Sequence, residues 1–168
     1  MKKAVLIGTS HSIQRNDRAF GSYIEELCNE HNICAIAEEI DNKSKSIAAI
    51  LSDKLGIKYA IVEPTPDERR NLHIERENDI VYELTMKYST ENLSTEPSSQ
   101  NWPSEPYDDY ANRVQTTYRQ REGEWIKRIE NLNIWPVLII CGKDHLEDFS
   151  KLFISSGIDL EPAFILTY

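Results

Sequence analysis

The chain has 168 residues, of which 19 are basic and 28 acidic, and its net charge is −9 at neutral pH. This length fits one domain with a sizeable core and leaves no room for a second full domain. The acidic balance argues against a general nucleic-acid binder, which needs a basic footprint, and against binding to an anionic membrane surface.

The apolar segments are too short to indicate a signal peptide or a membrane span. Only four apolar residues separate Lys3 from Gly8, which is too short for a signal-peptide core, and no stretch is long enough to span a bilayer. Cys28, Cys34 and Cys141 are an odd number without C-x-x-C spacing, which indicates reduced and mostly buried thiols. We therefore expect a cytoplasmic protein. A catalytic thiol at Cys141 is an alternative, but the apolar run around it favours packing.

Strand and helix patterns alternate along the first third of the chain. Three short apolar runs predict strands, at residues 4–7, 33–37 and 58–62. Asp17 can cap a helix over 18–30, and Ser44 or Ser46 can begin a second helix that ends at Gly56. One side of this second helix is apolar, at Ile47, Ile50, Leu51 and Leu55. The order is typical of a parallel sheet with right-handed crossovers.

Two polar segments predict loops. The first, 12–17, follows the first strand. The second, 89–109, is rich in Ser, Thr, Glu, Asn and Pro, and Trp102, Tyr107 and Tyr110 lie in it or directly after it. A polar loop of this length is usually functional or disordered, so it is either a mobile insertion or a lid whose aromatic residues contact a substrate or partner.

The remaining elements complete an α/β pattern. Helical spacing predicts helices at about 78–88, at 110–132 and at 146–156, and apolar runs predict strands at 137–141 and 163–166. The unbroken apolar run at 137–141 suits a strand buried on both faces of a parallel sheet. We expect a single α/β domain over 1–168, with a mainly parallel sheet flanked by helices and a loop or lid at about 89–109.

Two predicted strands end in the same short motif. Gly8 and His11 follow the first strand, and Gly142 and His145 follow the strand near the other end of the chain. A glycine after a strand is common turn chemistry, so one match is weak. Two matches, each after an apolar run, are much less expected by chance, and we predict that both imidazoles lie at one edge of the sheet.

Several polar residues follow the predicted strands, namely His11, Glu38, Glu39, Glu63 and His145. Imidazole and carboxylate are the ligands of a catalytic divalent metal (Zn, Mn or Co), here His11, Glu39 and His145, which would generate hydroxide from bound water. Without metal, a carboxylate-paired histidine can take a proton from water. Only one of Glu38 and Glu39 can point inward on an alternating strand. The histidines can also be turn or capping residues, and Glu63 precedes Pro64, which favours a loop role.

The sequence resembles a known family, the TraB/Tiki/erythromycin esterase/ChaN-like group. Four short motifs carry the resemblance: GTSH at 8–11, EID at 39–41, REGEW at 121–125 and CGKDH at 141–145. The family is similar in having two Gly-x-x-His motifs, an intervening strand-ending Glu, and an Arg-containing helix before the last motif. Glu38 is the alternative to Glu39 for the strand-ending Glu of the family, and Trp125 stands where the family usually has Met.

The resemblance implies an α/β domain that hydrolyses a peptide, ester or lactone-like substrate or has a related water-activating activity. It implies catalytic roles for His11, Glu39 and His145, with Arg121 stabilising the oxyanion and Glu122 beside it. Tiki-like members look metal-dependent, erythromycin-esterase-like members open lactones without metal, and ChaN-like members bind haem iron.

Two further classes of function are open. One is a non-catalytic protein that binds a small ligand or a metal in the same cleft. The other is a protein-interaction module that uses the aromatic loop at 102–110. The sequence leaves the oligomeric state undefined.

Overall fold

The structure is a computed structural model, and it describes residues 2–43, 46–88, 97–98, 101–161 and 164–165. The chain divides into two compact units. The first consists of Met1–Glu63 and Glu122–Tyr168 and contains the sheet, and the second is the helical segment Pro64–Arg121.

The sheet of the first unit is parallel throughout its described pairings. Its strands are β1 (Lys3–Thr9), β2 (Ala35–Glu38), β3 (Lys58–Ile61), β4 (Val137–Gly142), β5 (Asp159–Leu160) and β6 (Phe164–Ile165). The order is β3-β2-β4-β1-β5, and β6 also pairs with β1. The predicted α/β class and the common direction of the four predicted strands are therefore confirmed. The two-residue β5 was not predicted because it is too short to show periodicity, and Ala163 and Leu166 of the predicted last strand lie outside the described residues.

Seven helices accompany these strands within the described ranges: α1 (His11–Asn16), α2 (Arg18–Glu30), α3 (Ile47–Leu55), α4 (Pro66–Asn71), α5 (Glu77–Tyr88), α6 (Ser104–Leu132) and α7 (Leu146–Ser155). The side chain of Asp17 accepts a hydrogen bond from the Ala19 amide at the start of α2, as its capping role predicts. Ser46 caps α3 in the same way, and Gly56 ends α3 in the left-handed region at φ 67°. The alternative start at Ser44 lies outside the described residues.

Helices cover both faces of the sheet in the first unit. On β1, Ala4 and Leu6 belong to one buried cluster, which includes Trp125 from α6 and Phe149 and Phe153 from α7. The alternate β1 residues Val5 and Ile7 belong to a second cluster, formed with α2 and α3. Period-two alternation along each strand therefore divides the core into two layers.

Two predictions for this unit were wrong in detail. Ile50 was placed on the apolar side of α3, but it is 67% exposed. Residues 12–17 were predicted as a loop, but α1 begins at His11 and ends at Asn16. This short helix has no apolar stripe, and its buried residue is the polar Gln14, so hydrophobic periodicity could not reveal it.

The second unit has its own small core. Ile80 and Leu84 of α5 pack with Trp102, and half-buried residues surround them, namely Val81, Tyr88, Tyr107, Tyr110 and Val114. Helix α6 begins at Ser104, so residues 104–109 of the predicted loop are helical, while 89–96 and 99–100 lie outside the described residues. Trp102 is only 4% exposed and therefore packs inside the unit.

Thr65 and Glu68 form a capping box at α4, with Pro66 at its first position. Helix α4 was not predicted, although this capping signal was present in the sequence. In the described part of the chain, no helix combines the length and apolar character that crossing a membrane requires.

Candidate functional site

The carboxyl ends of three neighbouring strands position the candidate site. In the β1–β4 pair Thr9 lies opposite Gly142, and in the β2–β4 pair Glu38 lies opposite Ile140. Because these strands are parallel, the residues that follow them leave the sheet at one edge. The strand ends that precede His11, Glu39 and His145 are therefore neighbours at that edge.

His11 is the accessible imidazole of this edge. Its side chain is 50% exposed, and its Nε2 atom lies 3.8 Å from Glu39 Oε1. On the other side of the ring, Nδ1 lies 2.6 Å from the amide oxygen of Gln14, one turn along α1. The ring is thus held between an amide and a carboxylate while one side of it faces solvent.

Glu39 is nearly buried, and both of its carboxylate oxygens have identified neighbours. Oε2 accepts a hydrogen bond of 2.7 Å from the Gly142 amide, and Oε1 faces His11. A bond from a backbone N–H to a carboxylate is charge-assisted and stronger than a neutral one. The end of β4 therefore fixes the orientation of the carboxylate toward His11.

The two motif glycines allow close approach rather than the sharp turn that their sequence context suggested. The backbone of Gly142 has φ −59°, which any residue can adopt. A Cβ atom there would lie 3.3 Å from Glu39 Oε2 and 3.5 Å from the His145 ring. A Cβ atom on Gly8 would lie 3.2 Å from the Cα atom of Lys143. Gly8 thus makes room for the turn of the second motif, and Gly142 makes room for the site.

His145 is the buried imidazole. It lies in a 3₁₀ turn over Lys143–His145, and its Nδ1 atom is 2.7 Å from Oε1 of Glu122, which is fully buried. The Trp125 ring meets it edge-on, with 4.8 Å between centroids, and the Trp125 indole N–H donates to Glu63 Oε2 at 3.1 Å. Glu122 and Glu63 therefore support the second motif.

Glu38, the alternative register for the site carboxylate, has different partners. Its Oε2 atom accepts hydrogen bonds from the hydroxyls of Ser46 and Tyr59, and Oε1 is buried with no partner in the described part of the chain. Burial raises the pKa of Glu38, and the two hydroxyl bonds only partly oppose this shift. Of the two carboxylates, Glu39 is the one that faces His11.

Arg121 is the last residue of the second unit. Within that unit its guanidinium lies over the Tyr118 ring, 5.8 Å from the centroid. Its predicted convergence with the two histidines stays a prediction.

The predicted metal ligands do not form a ligand group. Across the described ranges, no three His, Cys, Asp or Glu side chains are grouped closely enough to hold a metal ion. His11 Nε2 faces Glu39, and His145 Nδ1 is paired with Glu122. Binding of a divalent metal by His11, Glu39 and His145 stays a prediction. Cys141, the alternative nucleophile, is fully buried in the core.

Sequence reasoning missed Gln14. Its side chain is 1% exposed, its amide oxygen lies beside His11 Nδ1, and its amide nitrogen donates to the backbone carbonyl of Glu39 at 3.2 Å. The available signal was the position of Gln14, three residues after His11. A side chain at this spacing faces the imidazole only if the segment is helical.

No family model matches the chain, and neither a curated protein nor a solved structure matches it. The resemblance to the TraB/Tiki/erythromycin esterase/ChaN-like group stays a prediction.

Proposed function

We propose that this protein is a small hydrolase in which His11 takes a proton from water and Glu39 orients that water. The observation that carries the proposal is the pair formed by His11 Nε2 and Glu39 Oε1, 3.8 Å apart, with the imidazole half exposed and the carboxylate held by the Gly142 amide. A carboxylate-oriented imidazole that solvent can reach is the basic requirement for general-base catalysis.

The spacing suits one water molecule. An oxygen placed about 2.8 Å from both atoms makes a hydrogen bond to each of them. Both hydrogens of the water then point at protein acceptors, and a lone pair of its oxygen points away from them, toward a substrate carbonyl. As this oxygen attacks, its proton moves to His11 Nε2, and Glu39 stabilises the imidazolium that forms.

The proposed substrate approaches the exposed side of the His11 ring, whose side chain is 50% exposed. Ser10 and Ser12, the chain neighbours of His11, line a surface cavity of about 460 Å³ together with Ile13, Asn16, Asp17 and Arg18. The proposed substrates are peptides, esters or lactones, whose carbonyl carbon accepts water. Arg121 is the proposed group that stabilises the oxyanion, and the proposed location is the cytoplasm.

Hydrolysis of a substrate panel tests the proposal. The panel contains activated esters, lactones and short peptides, and it is run with the native chain, His11→Ala, Glu39→Gln and His73→Asn. His73 is an exposed histidine of the second unit with a positive φ of 56°, which Asn tolerates, so His73→Asn is the matched control. We expect loss of about 10²-fold or more for His11→Ala, the usual contribution of a general base, and native rates for His73→Asn.

Two results would overturn the proposal. One is hydrolysis that His11→Ala leaves unchanged. The other is a panel without turnover, together with binding of a panel compound that His11→Ala abolishes, which would favour the non-catalytic binding protein.

A further inference from the structure

We infer that Gln14 is a positioning residue that selects the tautomer of His11 and keeps its Nε2 atom free to accept a proton. The inference rests on the proposed function for the role of that atom, but the tautomer itself can be measured without any turnover. Gln14 is buried, lies one turn after His11 in α1 and contacts both members of the proposed dyad.

The orientation of the Gln14 amide follows from its second hydrogen bond. Its nitrogen lies 3.2 Å from the carbonyl oxygen of Glu39, which can only accept. Exchanging the amide nitrogen and oxygen would bring two acceptors together in a buried place, which is unfavourable. The amide oxygen therefore faces His11.

This orientation determines which nitrogen of neutral His11 holds the proton. The amide oxygen of Gln14 is an acceptor and lies 2.6 Å from Nδ1, so Nδ1 carries the hydrogen and donates it. In neutral imidazole the other nitrogen then has the lone pair. That nitrogen is Nε2, which faces Glu39 Oε1.

Gln14 and Glu39 favour opposite tautomers of His11. A carboxylate is an acceptor, so Glu39 alone would favour a hydrogen on Nε2, and this hydrogen would block proton uptake there. Glu39 Oε1 is 3.8 Å from Nε2, beyond direct hydrogen-bond distance, whereas Gln14 is in direct contact with Nδ1. The closer partner therefore decides the tautomer. Removing Gln14 removes the bias and lets Glu39 attract the proton to Nε2.

Nitrogen-15 NMR of the histidine side chains tests this inference, because protonated and unprotonated ring nitrogens have well-separated shifts. The signals of His11 are assigned by their loss in His11→Ala, and spectra are recorded at a pH where the ring is neutral. In the native chain we expect a protonated Nδ1 and an unprotonated Nε2. In Gln14→Met, which keeps the side-chain length and removes both hydrogen bonds, we expect the protonated fraction of Nε2 to rise.

Two further variants separate the tautomer effect from a packing effect. Gln14→Glu keeps an acceptor beside Nδ1 and is expected to keep the native tautomer. Gln120→Met makes the same chemical change at an exposed position of α6 and is expected to leave the His11 spectrum unchanged. If Gln14→Met does not fold, the native spectrum still decides which ring nitrogen of His11 holds the proton.

The outcomes are distinct. A protonated Nε2 in the native chain overturns the inference, and so does a Gln14→Met spectrum identical to the native one. With a substrate found in the panel, Gln14→Met is expected to lower kcat by at least about tenfold, while Gln14→Glu retains more activity than Gln14→Met, because a general base needs its lone pair. If no substrate is found, the tautomer result still stands or falls on its own.

Discussion

The two Gly-x-x-His motifs leave neighbouring strands at the same edge, yet they hold their imidazoles in opposite environments. His11 is half exposed and lies between Gln14 and Glu39, whereas the His145 side chain is only 5% exposed and is paired with the buried Glu122. The same four-residue motif therefore gives one imidazole that solvent reaches and one that the core encloses.

The motif determines where each imidazole leaves the sheet, and the element that follows the motif determines whether the imidazole is exposed or buried. After Gly8 the chain enters α1, which presents His11 at the surface. After Gly142 it makes a 3₁₀ turn that leads directly into α7, and His145 packs against Trp125. In the proposed function, His11 therefore transfers the proton and His145 supports the strand edge.

The largest expected effect on stability separates the two histidines. His145→Ala removes the hydrogen bond between the imidazole and the buried Glu122 carboxylate and leaves a cavity beside Trp125, and we expect a loss of about 3 kcal/mol in the free energy of unfolding. His11→Ala removes a half-exposed ring and should change this free energy by less than about 1 kcal/mol. Urea unfolding of both variants measures the difference. Equal losses in the two variants would contradict the division of roles.

A smaller effect separates the two glycines. In Gly8→Ala the new Cβ atom meets the backbone of Lys143, which cannot move easily, and we expect a loss of about 1–3 kcal/mol in unfolding free energy. In Gly142→Ala the nearest atom is a Glu39 side-chain oxygen, so we expect a smaller loss of stability and a clear loss of hydrolysis. Gly123→Ala is the control, because the described residues leave the space around its Cβ open. A larger loss of stability for Gly142→Ala than for Gly8→Ala would reverse the comparison.

The smallest effect concerns Glu38 beside Glu39, and it depends on pH. The pKa of Glu38 is raised in the folded state, mainly by burial, so the folded chain binds its proton more tightly than the unfolded chain. The stability that this proton provides is complete below the ordinary carboxyl pKa of about 4.5 and is lost as pH rises through the folded value. Glu38→Gln cannot titrate, so its unfolding free energy should improve relative to the native chain as pH rises across that range. A constant difference between the two proteins would contradict this assignment.

The sequence predicted the sheet because buried parallel strands leave a strong signal. The run at Val137–Gly142 is apolar on both faces, and the ends of α2 and α3 are marked by Asp17, Ser46 and Gly56. The motifs also identified the edge from which both histidines leave. These features depend on local sequence, and local rules were sufficient to find them.

The internal arrangement of the site depends on register and burial, which local rules do not contain. β2 ends at Glu38, so the following residue, Glu39, reaches the Gly142 amide. Gln14 contacts His11 because a polar segment is helical. The close approach at Gly142 follows from the pairing of separate strands. The Glu39 contact and the close approach at Gly142 could not be predicted before the strands were aligned, and the Gln14 contact could not be predicted before α1 was known to be a helix.

Carbethoxylation of the histidines, followed residue by residue with mass spectrometry, tests the division of roles most directly. The reagent attacks unprotonated imidazole nitrogens that solvent can reach, and the exposed His73 supplies an internal reference. We predict that His11 reacts on the time scale of His73, while His145 reacts only as the protein unfolds. Reaction of His145 as fast as His11 in the folded protein, or protection of His11, would contradict the claim that His11 is the accessible base.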